Sequence, residues 1–342
     1  MTVIIDGSQG EGGGQVLRTS LTLSVVTGQE LRIDNIRANR SPAGLKHQHL
    51  AAVRAAAEIC DARVKGDQLG SSEVKFKPGT VQAGEYRFGI PTAGSAPLVL
   101  QTILIPLARA DNPSRVTISG GTHVRWSPCF HYLAWHWFSV LREMGYQGEL
   151  TLNEAGYYPQ GGGKITARVE PARDLRGISL VDRGELEHIR GLSAVSNLPE
   201  QIARRQRKRV VARLGAHFPL HDIKVRELPS PGKGTLILLL VEFTRSQACF
   251  FSLGERGKRA ERVADEAVDE VRAYLAGEGA VDAYLGDQLL IPLSLIEEES
   301  AFSVGRITSH LMTNAQIIKK FVDVVIRIEG EIGQEGRVVV QP

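Results

Sequence analysis

The residues best suited to chemistry stand at the two ends of the chain. Near the C-terminus runs Ser309-His310-Leu311-Met312-Thr313-Asn314, a histidine among small polar residues, where a nucleophile or a base would be placed. Near the N-terminus stands Asp6-Gly7-Ser8-Gln9-Gly10-Glu11-Gly12-Gly13-Gly14-Gln15, a glycine run broken by one carboxylate. Glycines between a strand and a helix let backbone N–H groups face an anion at the helix N-terminus. The run fits neither the GxGxxG dinucleotide pattern nor the GxxxxGK(S/T) phosphate loop, so neither of those folds is indicated. A plain turn is the alternative reading. Glu11 would repel a phosphate unless it binds a divalent metal or orients an imidazole. Read together, the two phrases point to phosphate and nucleotide chemistry.

Cations follow the first phrase. Arg18, Arg37 and Arg40, then Lys46, His47, Gln48 and His49, could grip a terminal phosphate through guanidinium forks, or simply form a solvated surface. The densest positive run, Arg204-Arg205-Gln206-Arg207-Lys208-Arg209 with Arg213, reads better as the solvent face of a helix than as an RNA track. Further glycine clusters, Gly120-Gly121-Thr122 and Gly161-Gly162-Gly163, end predicted strands and either converge on one cleft or repeat the same turn chemistry. His131 and His136 lie in an aromatic-rich helix with Trp135 and Trp137, where packing is the better reading.

The elements that must position these residues are those of an α/β chain. Val3-Ile4-Ile5 forms a short strand feeding the glycine loop, and Val16, Leu17, Leu21, Leu23 and Val26 recur at helical spacing. Leu31 to Ile36 alternates as a strand, and Leu50, Val53, Ala57 and Cys60 mark an amphipathic helix. The plan recurs. Val99-Leu100-Gln101-Thr102 answers Val16-Leu17-Arg18-Thr19, Val116 to Ser119 answers the strand at Leu31, and a helix from Pro128 to Met144 follows. The recurrence reads either as an internal duplication, with the C-terminal part as a candidate third copy, or as a chance echo of ordinary α/β patterning. Between Asp182 and Gly279 the texture changes to two long helical runs, Pro199–Leu214 and Arg256–Ala276, around two strands. That segment reads as an inserted α+β module at 182–278, with the body formed by 1–181 and 279–342.

A chain of 342 residues can bury a large core, and 42% hydrophobic with 23% charged residues is ordinary globular composition. The net charge of +3 excludes a polycation, so contact with nucleic acid must be local. Cys60, Cys129 and Cys249 form no CxxC and suggest reduced thiols rather than a zinc site. No signal peptide and no apolar run of spanning length is evident, so a cytoplasmic protein with no membrane contact and no stable protein partner is expected.

The motifs resemble the RNA 3′-terminal phosphate cyclase family. The opening phrase through Val16-Leu17-Arg18 carries the resemblance first. Ile36 to Arg40, Gly94-Ser95-Ala96, Leu100-Gln101-Thr102, Ser119 to Thr122, Tyr158 to Gly163, Tyr284 to Gln288 and His310 to Asn314 then follow in order. The matches span nearly the whole length and are highly specific. The resemblance implies three similar βα units around a pseudo-threefold axis, related to the enolpyruvyl transferases, with a smaller inserted domain. It implies ATP and a divalent metal (Mg or Mn) as cofactors and an RNA with a 3′-phosphate end as partner.

The implied reaction begins with attack of His310 on the α-phosphate of ATP. AMP then passes to the RNA 3′-phosphate, and the 2′-hydroxyl closes a 2′,3′-cyclic phosphate. The resemblance gives Glu11 a catalytic and metal-binding role. It places Gln101, Pro128, Tyr132, Tyr284, Leu285, Gly286, Asp287 and Gln288 at the nucleotide, with Tyr284 stacking on adenine. Arg18, Arg37, Arg40, Gln48 and His49 fall to the RNA end. Ala155 stands where a basic residue is expected, and Cys129 to His131 where proline or an acidic residue is commoner. A non-catalytic branch that serves ribosomal RNA processing lacks the nucleophilic histidine, and the presence of His310 and Glu11 argues against it. An enolpyruvyl-type transferase does not fit the His310 phrase.

Overall fold

A computed structural model describes residues 2–10 and 13–342. In the first part, β1 (Thr2–Asp6), α1 (Gly14–Thr27), β2 (Glu30–Asp34), α2 (His47–Glu58), β3 (Arg63–Lys65) and β4 (Val74–Lys77) build one four-stranded sheet, ordered β1-β2-β4-β3. β1 is parallel to β2, and the remaining pairs are antiparallel. Alternation is what fixes the faces. Val3, Ile5, Leu31 and Ile33 point into the core, and Ile4 and Arg32 point away from it. α1 stops at Gly28, whose φ of 71° is the left-handed geometry that ends helices without a Cβ penalty.

The second part repeats this wiring. β5 (Glu85–Gly89), α3 (Ala96–Leu107) and β6 (Ser114–Gly120) lead into a helix made of α4 (Phe130–Tyr132), one π-helical stretch (Leu133–Trp137) and α5 (Phe138–Glu143). β7 (Gly148–Glu154) and β8 (Gly163–Val169) complete the order β5-β6-β8-β7, again parallel at the first pair only.

A third sheet opens with β9 (Ser179–Leu180), but its partners come much later in the chain. Between them lie β10 (Leu186–Ser196), α6 (Gln201–Leu214), β11 (Leu220–Glu227), β12 (Gly234–Phe243), β13 (Gln247–Leu253) and α7 (Ala260–Leu275). The third sheet then resumes with α8 (Leu285–Leu293), β14 (Ser300–Val304), α9 (Ser309–Ile318), β15 (Val325–Glu329) and β16 (Gly336–Gln341). Its order, β9-β14-β16-β15, and its pairing senses match the first two. The extra segment therefore enters between the first strand and first helix of the third unit. The glycine loop occupies the same place in the first.

The fourth sheet, β11-β10-β12-β13, belongs wholly to that segment. Its central strand β12 is apolar on both faces. Ile237, Leu239 and Val241 join a separate core with α6 and α7, while Leu236, Leu238 and Leu240 join the core of the other three sheets. The long strand β10 has no clear alternation and is interrupted by Gly191, so pattern alone does not reveal it. The basic run on α6 meets an acidic stripe on α7. Arg205 pairs with Glu261 at 2.8 Å, Arg209 and Arg213 with Asp265 at 2.7 Å, and Arg213 also with Asp269 at 2.8 Å. Arg204, Arg207 and Lys208 lie on the exposed face expected from sequence, while Arg205, Arg209 and Arg213 form a ladder to the neighbouring helix. Among the described residues no helix is long and apolar enough to cross a membrane.

Candidate active site

α1 packs against α2, α3 and α9, and α8 packs against α9. Polar residues meet where these helices begin. His310 is exposed in the first turn of α9, whose N-cap Thr308 accepts the Leu311 N–H at 3.1 Å. Across from it, Gln15 on α1 donates through Nε2 to Asp287 Oδ2 at 2.7 Å and to the His310 carbonyl at 3.3 Å. One turn further along α9, Asn314 closes the frame. Its Oδ1 accepts from Thr19 at 2.7 Å and its Nδ2 donates to the Asp287 carbonyl at 3.0 Å. Three helices are thereby held in fixed register around the helix turn that carries His310. The N-terminal end of α9 adds partial positive charge beside it, which favours an anion there.

Charge is concentrated in this frame. Burial pushes the Asp287 carboxyl up to about 6, against the opposing pull of His310 and Arg18. Burial lowers the Arg18 guanidinium to about 10, opposed by Asp287. His49 lies beside Arg18 and is pushed down to about 3, first by burial and then by Arg18, Arg37 and Lys46. Its Nδ1 accepts the Lys46 N–H at 3.2 Å, so the neutral ring carries its proton on Nε2. That nitrogen faces Gly14, where an added Cβ would stand 2.4 Å from it. The glycine loop needs small residues at its other end too. Gly10, at φ +58°, leaves only 2.2 Å between a Cβ and Thr313 Oγ1.

The depressed His49 value has a consequence for stability. The folded state refuses a proton that the unfolded chain accepts below its ordinary value of 6.5. Stability from this residue is therefore full above pH 6.5 and falls as pH drops toward 3. Urea melts at about pH 5 are expected to show about 2 kcal/mol less stability from this source. His49→Gln should remove that share of the slope, and equal slopes in both proteins would contradict the assignment.

A family model described as RNA 3'-terminal phosphate cyclase matches residues 9–328. The chain belongs to the RNA 3′-terminal phosphate cyclase family. Relatives carrying that name include one from Salmonella agona, 43% identical over 96% of this chain and 94% of its own. One from Nostoc punctiforme is 44% identical over 95% of each chain. Another from Methanopyrus kandleri is 41% identical over 99% of this chain and 98% of its own. Among solved structures, the enolpyruvyl transferase NikO from Streptomyces tendae overlaps at a TM-score of 0.29 with 16% identity, over 50% of this chain and 33% of that one. So low a score carries no argument about kinship.

For a cyclase, the expected nucleotide residues lie as follows. Tyr284 is 46% exposed at the start of α8, and Leu285 and Gly286 are buried beneath it. Gln288 donates to the Tyr284 carbonyl at 2.5 Å and accepts from Gln101 Nε2 at 2.5 Å. Pro128 is half-buried just before α4. Tyr132 differs from expectation. It is 1% exposed, and its hydroxyl donates to Asp282 at 3.2 Å, so it supports the Tyr284 segment from below instead of facing a nucleotide.

Of the residues expected at the RNA end, Arg37 is buried and gives its NH1 to the carbonyls of Pro42 and Gly44, at 2.8 and 3.0 Å, which shapes the loop before α2. Arg40 is exposed on that loop. Gln48 accepts the Ser95 N–H at 2.7 Å and so joins α2 to the N-cap of α3. Glu11 lies outside the described residues. Among those described, no group of three His, Cys, Asp or Glu side chains is arranged to hold a metal ion.

Sequence reasoning missed the support of this site. Asp282 is fully buried, accepts the N–H groups of Tyr284 and Leu285 at 2.9 and 3.0 Å, and meets His136 Nε2 at 2.5 Å. An aspartate three residues before a helix is a capping signal visible in sequence. Its long-range histidine partner leaves no such signal.

Proposed function

We propose that the protein converts an RNA 3′-terminal phosphate into a 2′,3′-cyclic phosphodiester using ATP. The observation that carries this reading is the exposed His310 in the N-terminal turn of α9, its backbone carbonyl bonded to Gln15 and its turn tied to α1 and α8 through Gln15, Asp287 and Asn314. In the first step an imidazole nitrogen bonds to the α-phosphorus, the bond to the bridging oxygen breaks, and pyrophosphate leaves. The helix N-terminus and Arg18 favour the added negative charge. Next, an oxygen of the RNA 3′-phosphate bonds to the same phosphorus and the N–P bond breaks, restoring the free histidine. Finally the 2′-oxygen attacks the terminal phosphorus, AMP departs, and solvent takes the hydroxyl proton. The last step is intramolecular and gains from proximity.

Gln101 and Gln288, now bonded to each other, have the amide groups to hold the nucleotide, and the half-exposed Tyr284 ring offers a stacking face with Pro128. Arg18, Arg40 and the His49 Nε2–H suit the RNA phosphate, while Gln48 and Arg37 fix the loops that present them. A divalent ion would offset charge on the phosphates. Asp287 is a described carboxylate that feels the charge of His310 and bonds Gln15, and the role of Glu11 in holding such an ion belongs to this proposal. Residues 1–181 and 279–342 form the catalytic body and 182–278 the inserted unit. The separate core between the fourth sheet and α6 and α7 supports that division.

Incubation with α-labelled ATP and Mg or Mn, followed by denaturing electrophoresis, tests the reading. An acid-labile, alkali-stable label on the protein is expected. A folded protein that binds ATP by calorimetry yet takes no label would overturn it.

A further inference from the structure

Among the described residues three tyrosine or tryptophan side chains are exposed, and two of them stand on neighbouring loops. Tyr284 is the half-exposed ring of the nucleotide segment. The other two, Trp126 at 97% and Tyr158 at 78% exposure, are the most exposed large apolar residues described. Both sit on loops whose bases are hydrogen-bonded together. The N–H groups of Thr122 and His123 donate to the Gly156 carbonyl at 2.9 and 3.0 Å, and the Gly156 N–H returns a bond to Thr122 Oγ1 at 2.8 Å. The buried Tyr157 ring stacks on His123 with centroids 5.5 Å apart.

Neither loop is loosely tethered. The Trp126 loop is closed at its base by Phe130 N–H on the Thr122 carbonyl at 2.9 Å, and flanked by an Arg125–Glu255 ion pair at 2.6 Å. Trp126 holds φ +62°, a conformation that costs energy in a non-glycine residue. The Tyr158 loop is closed by Gly161 N–H on the Tyr157 carbonyl at 2.7 Å. A groove of about 710 Å³ runs from Tyr158 and Gln160 to the exposed Lys233 on the β11–β12 turn. Contacts connect this region to the candidate RNA end. A Cβ at Gly161 would stand 2.8 Å from Ala93, and one at Gly94 would stand 3.0 Å from Gln48 Cβ.

We propose that Trp126 and Tyr158 form a stacking platform for the nucleobases upstream of the RNA 3′ end, with Lys233 taking a backbone phosphate. The inference rests on the cyclase reading, which places the RNA terminus beside His49 and Arg18. A single strand entering that pocket must leave it across the surface. Exposed rings separated by polar and cationic groups suit such a strand, because every base has a face to stack and every linkage a charge to meet. A protein-docking patch would instead be continuously apolar. The site is indifferent to base identity and reads only the presence of upstream nucleotides.

Steady-state kinetics on two substrates test this. For an RNA of about ten nucleotides with a 3′-phosphate, Trp126→Ala and Tyr158→Ala are each expected to raise KM roughly five- to tenfold. KM for a dinucleotide 3′-phosphate should not follow it. Trp126→Phe should restore most of the long-substrate KM, and thermal melts of each variant check folding. A rise in KM for ATP with RNA unaffected would overturn the proposal, as would equal losses on both RNA lengths. A second readout does not need catalysis. Titration with the same RNA bearing a 3′-hydroxyl should quench tryptophan fluorescence in the parent protein and not in Trp126→Phe. Quenching without any cyclisation would sink the cyclase reading alone, while cyclisation without Trp126-dependent quenching would sink the platform alone.

Discussion

His310→Ala is expected to abolish label transfer from ATP and to lower cyclisation of an RNA 3′-phosphate by at least ~10³-fold, the scale on which loss of a covalent nucleophile acts. Folding should survive, because His310 is exposed and substitutions at such positions shift stability by only about 0.5 kcal/mol. The chemistry makes a sharper demand. If the imidazole serves only to carry AMP to RNA, it has no part in the final ring closure. An RNA whose 3′-phosphate already bears AMP should therefore be cyclised by His310→Ala within about tenfold of the parent rate, since that step draws on proximity and phosphate binding. Loss of both reactions would mean that His310 positions the RNA end as well. Retention of both would remove it from the mechanism.

The sequence made the chemistry of this site easier to read than its scaffolding. His310 and the glycine loop announce themselves because rare spacing and residue type coincide, and the repeat of Val16–Thr19 in Val99–Thr102 exposes the shared wiring of α1 and α3. The third unit is harder to see. Its first strand, β9, is two residues long, and the inserted segment separates it from α8, so no window of sequence contains the pattern. Tyr132 illustrates a different limit. A family motif places it near a nucleotide, yet whether a ring faces a ligand or lies one layer beneath depends on packing against Asp282 and Phe251, which only the assembled fold supplies. The basic run of α6 is similar. Its partners on α7 lie more than fifty positions away, and charge count alone cannot say that they meet.

Asp282 is where these long-range contacts matter most. Its Oδ1 receives two backbone N–H groups and the Tyr132 hydroxyl, and its Oδ2 receives His136 Nε2. The histidine tautomer is set from the other side. Gln247 donates through Nε2 to the Trp135 carbonyl at 2.7 Å and to His136 Nδ1 at 3.3 Å, which leaves the ring proton on Nε2, facing Asp282. The inserted sheet, the π-helical stretch and the start of α8 are thus joined through one buried carboxylate. Asp282→Ala strands two N–H groups, a hydroxyl and an imidazole without a partner, and should cost about 3–5 kcal/mol in urea unfolding. Asp282→Asn keeps an acceptor for the helix start but turns an NH2 toward a donating nitrogen, so a smaller loss of about 1–3 kcal/mol is expected. His136→Ala combined with Asp282→Ala should cost less than the two singles added, because they remove the same contact. The functional counterpart is a rise in KM for ATP in Asp282→Asn with KM for a dinucleotide 3′-phosphate unchanged, since it is the Tyr284–Gln288 segment that loses its anchor. If Asp282→Asn unfolds more easily while both KM values stay at parent levels, the network serves only stability, and the Tyr284 segment holds its place without it.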